Sequence, residues 1–255
     1  MKVLLVSGSG FLGGHLARQF SVEGIEFRAT AREGALPLDL ARPISQQLRG
    51  LLAREAFSHA VICAAMADVE ACFRNPELSQ RVNVAAMGEL LAELSAFGVI
   101  PVFFSSDLVF NGEGDLFREE DPVSPITLYG RQKVAAEELF RRSGRHLIFR
   151  TGKLMAADLH LRNIFSPIVR AARGQGSYRA FRDQFITPIF CEDVGRYVSA
   201  ALLADLCGTF HLAGAERFSR ADLARKVCAE LGLDGESIEE ISLEELALAE
   251  PRGRN

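Results

Sequence analysis

From its first residues the chain alternates short apolar runs with stretches of helical period. Lys2-Val3-Leu4-Leu5-Val6 is an apolar run of strand length, and a helical pattern follows over residues 15–23. The alternation continues with a strand over 25–30, a helix over 44–56 and a buried strand over 60–63 that runs into the small residues Ala64-Ala65. A long helix over 76–97, a strand over 99–105, a helix opening near residue 129 and a strand over 147–150 complete the series. Strands alternating with helices predict an α/β fold with a parallel, doubly wound sheet. After residue 151 the pattern loosens into a helix over 163–173, the Gly-rich Arg173-Gly174-Gln175-Gly176, a helix that Glu192-Asp193-Val194 caps and that runs to about residue 203, a short strand over 209–214 and a capped helix over 219–231.

Between the first strand and the first helix stands Ser7-Gly8-Ser9-Gly10-Phe11-Leu12-Gly13-Gly14. Gly8, Gly10 and Gly13 spell Gly-x-Gly-x-x-Gly, in which glycines let the backbone approach a pyrophosphate lying on the helix N-terminus. Gly8, Ser9, Gly10, Phe11, Leu12 and Gly13 are therefore candidate cofactor-binding residues. The fold expected is a Rossmann-type core over 1–150 with a small substrate lobe over 151–255, intertwined with it as a single structural unit. An NAD-specific enzyme carries an acid near the end of its second strand; here Arg28-Ala29-Thr30-Ala31-Arg32-Glu33 offers none before Glu33. Arg32 is suited to a 2′-phosphate, which predicts NADPH in preference to NADH; the alternative for Arg32 is an exposed loop cation.

The candidate chemistry lies between residues 103 and 137. An apolar run ends in Ser105-Ser106-Asp107, and Tyr129 and Lys133 follow four apart at the start of a helical pattern. That spacing puts phenol and ammonium on one helix face. With Ser106 beside them, a hydroxyl, a phenol and an ammonium gather, a set suited to protonating a carbonyl oxygen. The ammonium is expected to lower the phenol's pKa from about 10. Gly8 to Gly13, Ala64-Ala65, Ser105-Ser106 and Thr151-Gly152 all fall at carboxyl ends of expected strands, where ligands of doubly wound sheets bind.

The ordered block Ser105-Ser106-Asp107-Leu108-Val109-Phe110-Asn111-Gly112, then Glu120-Asp121-Pro122 with Pro125, then Tyr129-Gly130-Arg131-Gln132-Lys133 resembles the extended short-chain dehydrogenase/reductase superfamily. More narrowly it is similar to the dTDP-4-dehydrorhamnose reductase branch, which includes sugar-nucleotide reductases and the regulatory β-subunit of methionine adenosyltransferase. The resemblance implies Ser106, Tyr129 and Lys133 as catalytic residues, with Tyr129 the proton donor and Lys133 on the nicotinamide ribose. It implies cofactor contacts from Asp39-Leu40, from Cys63, Ala64 and Ala65, from Ser105 and from Thr151, and structural support from Asn83. It places Met66, Asp107, Leu108, Lys153 and Gln184 on the substrate side, the last within Asp183-Gln184-x-x-x-Pro188.

The superfamily usually has Gly-x-x-Gly-x-x-Gly, which puts Ser7 where the first glycine belongs. Leu108 replaces a tyrosine near the sugar, Met66-Ala67 replaces Tyr-Thr, and Gly152-Lys153 replaces Ser-Trp. The cofactor half and the trio are kept while the substrate half is rewritten, which predicts the same reaction type on a different or modified substrate. The resemblance covers essentially the whole chain, and relatives usually continue for a few dozen residues past the place matched by Pro251-Arg252-Gly253-Arg254-Asn255.

Composition narrows the classes left. The chain has 255 residues, 48% of them hydrophobic, enough for a sizeable core, and a net charge of -4, which argues against a nucleic-acid surface. No apolar run reaches membrane-span length, and the first run reads as a strand rather than a signal peptide. Five scattered cysteines without Cys-x-x-Cys fit a reducing cytoplasm, and the five histidines show no metal spacing. The expectation is a cytoplasmic NAD(P)H-dependent reductase of a 4-keto nucleotide sugar, with a homodimer as its assembly. A non-catalytic cofactor-binding regulatory subunit and a nucleotide-sugar epimerase are the alternatives.

Overall fold

The computed structural model describes residues 1–114, 116–158, 163–246 and 250–254, so Asn255 lies outside the described residues. Strands β1 (Lys2–Val6), β2 (Glu26–Ala29), β3 (His59–Ile62), β4 (Ile100–Ser106) and β5 (Leu147–Thr151) follow in chain order. The short β6 (Leu154–Met155), β7 (Tyr178–Phe181), β8 (Phe185–Ile186) and β9 (Ile189–Phe190) precede β10 (Gly208–Leu212), β11 (Phe218–Ser219) and β12 (Ile238–Ile241). Six of these form one sheet in the order β10-β5-β4-β3-β1-β2, parallel throughout. The chain runs outward from β1 to β2 and then returns to β3 on the other side of β1, so the direction of winding reverses between β1 and β3. That is where a doubly wound sheet opens a crevice at its carboxyl edge.

Helices α1 (Phe11–Val22), α2 (Ser45–Arg54), α3 (Val69–Arg74), α4 (Pro76–Gln80), α5 (Ala86–Ala96) and α6 (Leu128–Arg142) belong to the first part of the chain. Helices α7 (Phe165–Ala172), α8 (Cys191–Leu203) and α9 (Arg220–Glu230) belong to the second. Successive residues of β1 face opposite ways: Leu4 and Val6 enter the core under α2, α5 and α6, while Val3 and Leu5 enter the core under α1 and α8. Burial on both faces is why the strands read as continuous apolar runs rather than as alternating ones.

Strand β10 and helix α8, both from beyond residue 150, extend the sheet and close its second face. The rest of the second part builds a small lobe around Ile168, Ala180, Ala221, Ala224 and Cys228, with β12 pairing β7. The helix expected over 76–97 is interrupted by a π-helical turn, Arg81–Ala85, between α4 and α5. Glu192 and Asp193 lie in the first turn of α8, where acids complement the helix dipole; Phe190 occupies the cap position. Ser219 caps α9 with Asp222 in a reciprocal capping box. Among the described residues no helix is long and apolar enough to cross a membrane.

Candidate active site

The turn after β1 is shaped for close approach. Ser7 has φ 67, the left-handed conformation that glycine adopts freely and serine adopts at a cost of about 1–2 kcal/mol. Ser7 thus holds a backbone conformation that glycine tolerates most readily. Its N–H donates to Thr30 Oγ1 (3.2 Å), and Gly8 N–H donates to Thr30 O (2.8 Å), tying the turn to the end of β2. A Cβ on Gly13 would stand 2.1 Å from Ser7 O, so the helix meets the turn where only glycine fits. Helix α1 opens at Gly10 with no side-chain cap and no acid in its first turn. Its first N–H groups are left for an anion, and the residues fit a dinucleotide pyrophosphate. Phe11 is half-buried, Leu12 is buried, and Ser9 is exposed at the tip of the turn.

Tyr129 and Lys133 lie on the first turns of α6, beside the end of β4. Both are buried, at 7% and 3% exposure. The Tyr129 ring packs among Val69, Cys72, Met66 and Leu108. Lys133 Nζ donates to Phe104 O at 2.8 Å and sits 5.6 Å from the centre of the Tyr129 ring. Ser106 is the last residue of β4; its hydroxyl donates to Asp107 Oδ1 (2.8 Å) and accepts from Leu108 N–H (3.2 Å).

The electrostatics run opposite to the expectation from spacing. Burial pushes the Tyr129 phenol above its ordinary value, and the Asp107 carboxylate adds to the rise. Burial also brings Lys133 down to about 8, with Glu137 opposing. Desolvation is the largest influence on both groups, and it opposes the charged form of each.

Behind the trio lies a buried ion pair that the sequence did not reveal. Glu137, fully buried one turn beyond Lys133, accepts from Arg150 Nε (3.0 Å) and Nη2 (2.9 Å) and from Arg141 (2.6 Å). Burial raises the Glu137 carboxyl, but the arginines more than offset it and leave it below the ordinary range. The pair fixes α6 to the end of β5, where Thr151 Oγ1 donates to Ser105 O (3.2 Å). Breaking such a pair by removing one partner costs about 3–5 kcal/mol.

The RmlD substrate binding domain family matches residues 1–255. The chain belongs to this family. The probable low-salt glycan biosynthesis reductase of Haloferax volcanii is 34% identical over 182 residues, 69% of this chain and 61% of that protein. The dTDP-4-dehydrorhamnose reductase of Burkholderia thailandensis is 27% identical over 241 residues, 90% of this chain and 78% of that one. The crystal structure of dTDP-4-dehydrorhamnose reductase from Bacillus anthracis in complex with NADP shares the fold, with a TM-score of 0.89 and 21% identity over 99% of this chain and 88% of that one.

Within this RmlD-family fold the other expected residues fall as follows. Cys63, Ala64, Ala65 and Met66 form the turn after β3, and its shape is held by Asn83. Asn83 Oδ1 accepts from Met66 N–H (2.9 Å), and its amide donates to Met66 O (3.0 Å) and to Gln132 Oε1 (2.8 Å). The π-helical turn is what carries Asn83, and Gln132, next to Lys133, ties it to α6. Arg32 is exposed after β2. Asp39 makes a local turn with Ala41 N–H (3.0 Å), and the Leu40 side chain is in the core. The Ser105 side chain is buried beside Glu137.

On the substrate side, Asp107 stands at a cleft of about 300 Å³ that Phe110, Phe117, Arg150, Phe185 and His211 also line. Crowding by protein raises the Asp107 carboxyl, with the Ser106 hydroxyl opposing, although the side chain remains reachable by water. Loss of hydration lowers the Lys153 ammonium, and Arg220 lowers it further. Gln184 Oε1 accepts from Arg220 Nε (3.3 Å), and Asp183 caps the turn at Leu243 (2.9 Å). A larger cavity of about 540 Å³, lined by Met155, Phe165, Phe218 and Lys226 among others, holds none of the expected site residues. Among the described residues no cluster of three metal-ligating side chains occurs.

Proposed function

We propose that this chain is an NAD(P)H-dependent reductase of a 4-keto nucleotide sugar. The observation that carries the reading is Tyr129 and Lys133 buried together at the carboxyl end of β4, beside Ser106 and on the same sheet edge as the uncapped N-terminus of α1. The nicotinamide, when bound, supplies a hydride to the keto carbon. Tyr129 then gives its proton to the resulting oxygen, and its raised pKa keeps that proton in place at neutral pH. Ser106 orients the carbonyl by turning its hydroxyl from Asp107 towards it. Lys133 spends one donor on Phe104 O and has two left for the ribose hydroxyls.

NADPH is the preferred cofactor in this reading, because Arg32 follows β2 where no acid precedes it. The scattered free cysteines, of which Cys72, Cys191 and Cys228 are buried, support a cytoplasmic location. Residues 1–150 and 151–255 act as one structural unit, supported by the membership of β10 and α8 in the central sheet and its cover.

The test is NADPH oxidation against a panel of 4-keto-6-deoxy sugar nucleotides. Oxidation with at least one of them is expected. Tight NADPH binding with no turnover across the panel would overturn the reading in favour of a cofactor-binding regulatory subunit.

A further inference from the structure

The start of α6 decides where Tyr129 stands, and it is held by a residue 122 positions away. Leu128 is the first residue of the helix and Tyr129 the second. Gly130 N–H donates to Thr127 Oγ1 (3.0 Å), the local cap. Leu128 N–H instead donates to Glu250 Oε1 at 2.8 Å, across a sequence separation of 122. Glu250 is 3% exposed, Arg131 Nη2 lies 3.5 Å from the same oxygen, and Oε2 is buried with no hydrogen-bond partner among the described residues. A carboxylate in this position satisfies an orphan N–H and complements the helix dipole. An oxygen buried without a partner is costly to keep, so its retention calls for an explanation.

The surroundings leave the helix start little freedom. A Cβ on Gly130 would stand 2.2 Å from Leu108 O, so the first turn of α6 sits directly on the turn that carries Asp107 and Leu108. The residues after Glu250 bind both halves of the molecule. Arg252 pairs with Glu70 on α3 (3.8 Å), Gly253 lies against Asn111 O, and Arg254 O accepts from Phe185 N–H (2.6 Å) in the lobe. The tail thus runs over the wall of the site and delivers its carboxylate to the catalytic helix.

We propose that Glu250 is a positioning residue: through Leu128 it fixes the first turn of α6 and with it the place of the Tyr129 hydroxyl relative to Ser106. This rests on Tyr129 being the proton donor, as proposed above. The latch itself can be read independently of turnover.

Full-length Glu250→Ala and Glu250→Gln would be compared by residue-resolved amide exchange and by steady-state kinetics. In Glu250→Ala the Leu128 amide should exchange about five- to tenfold faster, while Gly130, held by Thr127, stays within about twofold. Turnover should fall about tenfold with KM for NADPH little changed, since a small displacement of a catalytic group lowers rate before cofactor binding. Glu250→Gln keeps an oxygen that can accept from Leu128 and should restore both. An unchanged Leu128 exchange rate in Glu250→Ala overturns the latch whether or not a substrate has been found. Equal damage from Gln and Ala, with KM raised and Tm lowered, would make Glu250 a structural charge and overturn its positioning role. If wild type reduces no substrate in the panel, the failure lies with the proposed function, and the exchange result still decides the latch.

Discussion

Tyr129→Phe separates chemistry from structure because of how the side chain is held. The ring is what packs, against Val69, Cys72, Met66 and Leu108, and phenylalanine keeps all of it. The hydroxyl is not a structural tie: Lys133 is anchored by Phe104 O, and Ser106 is engaged with Asp107 and Leu108. No buried partner is orphaned, so the change in stability should stay within about 0.5 kcal/mol, the range of a substitution that breaks no packing or network. NADPH affinity should likewise be kept, since Lys133 and the turn at Gly8 to Gly13 are untouched. Turnover is different. A lost general acid typically costs a factor of about 10² to 10⁴, or about 3–5 kcal/mol of barrier. Thermal melting, NADPH titration and the rate of NADPH absorbance loss with the best substrate would be measured side by side. A mutant with wild-type turnover refutes the assignment of Tyr129 as proton donor. A mutant that melts several degrees lower would show that the hydroxyl supports structure.

Two further predictions follow from the site. Lys133, with its pKa brought down to about 8 in the free protein, is charged below that pH and neutral above it. NADPH affinity should therefore be flat at lower pH and weaken as pH rises through about 8, and Lys133→Met should bind more weakly with no such dependence; a pH-independent wild type would exclude the ammonium from binding. The same shift has a stability sign: the cost of burying the charged form is fully present below about 8 and is relieved as pH rises towards the ordinary lysine value of 10.5. Arg32→Ala should reduce the NADPH:NADH affinity ratio by about five- to tenfold or more, the scale of one exposed charge-assisted contact, while leaving NADH binding unchanged. An unaltered ratio removes Arg32 from cofactor choice.

What could be read from the sequence was local. The apolar run at Lys2–Val6, the glycines after it and the four-residue spacing of Tyr129 and Lys133 each express a period or a turn, and the strands and the trio follow from them. The exception at Ser7 was visible as a departure, but not its resolution. Only the backbone shows that the serine takes the left-handed conformation while Thr30, just past the end of β2, receives its N–H. What stayed hidden depends on chain segments meeting from afar. Glu137 and Arg150 are thirteen residues apart and pair only because α6 lies against β5. Glu250 reaches Leu128 across most of the second half of the chain. The π-helical turn at Arg81–Ala85 leaves no mark on the apolar period, although it sets the direction in which Asn83 points.

The direction of the Tyr129 pKa is set by burial rather than by the spacing of Tyr129 and Lys133. Spacing places a cation one turn away, and from spacing alone attraction is the natural inference. The folded site adds two facts that spacing does not contain: both groups lose nearly all their water, and the ammonium is oriented onto Phe104 O. Desolvation then opposes charge on each, so the phenol rises and the ammonium falls. For a reductase this arrangement is favourable. The product of hydride transfer is an alkoxide, far more basic than a phenol, so a tightly held phenolic proton still moves downhill to it. Activity in the oxidative direction would instead begin from the phenolate, and each unit by which burial raises the phenol adds about 1.4 kcal/mol to the cost of forming it. The protein's own contribution in the free state therefore favours proton donation over proton abstraction.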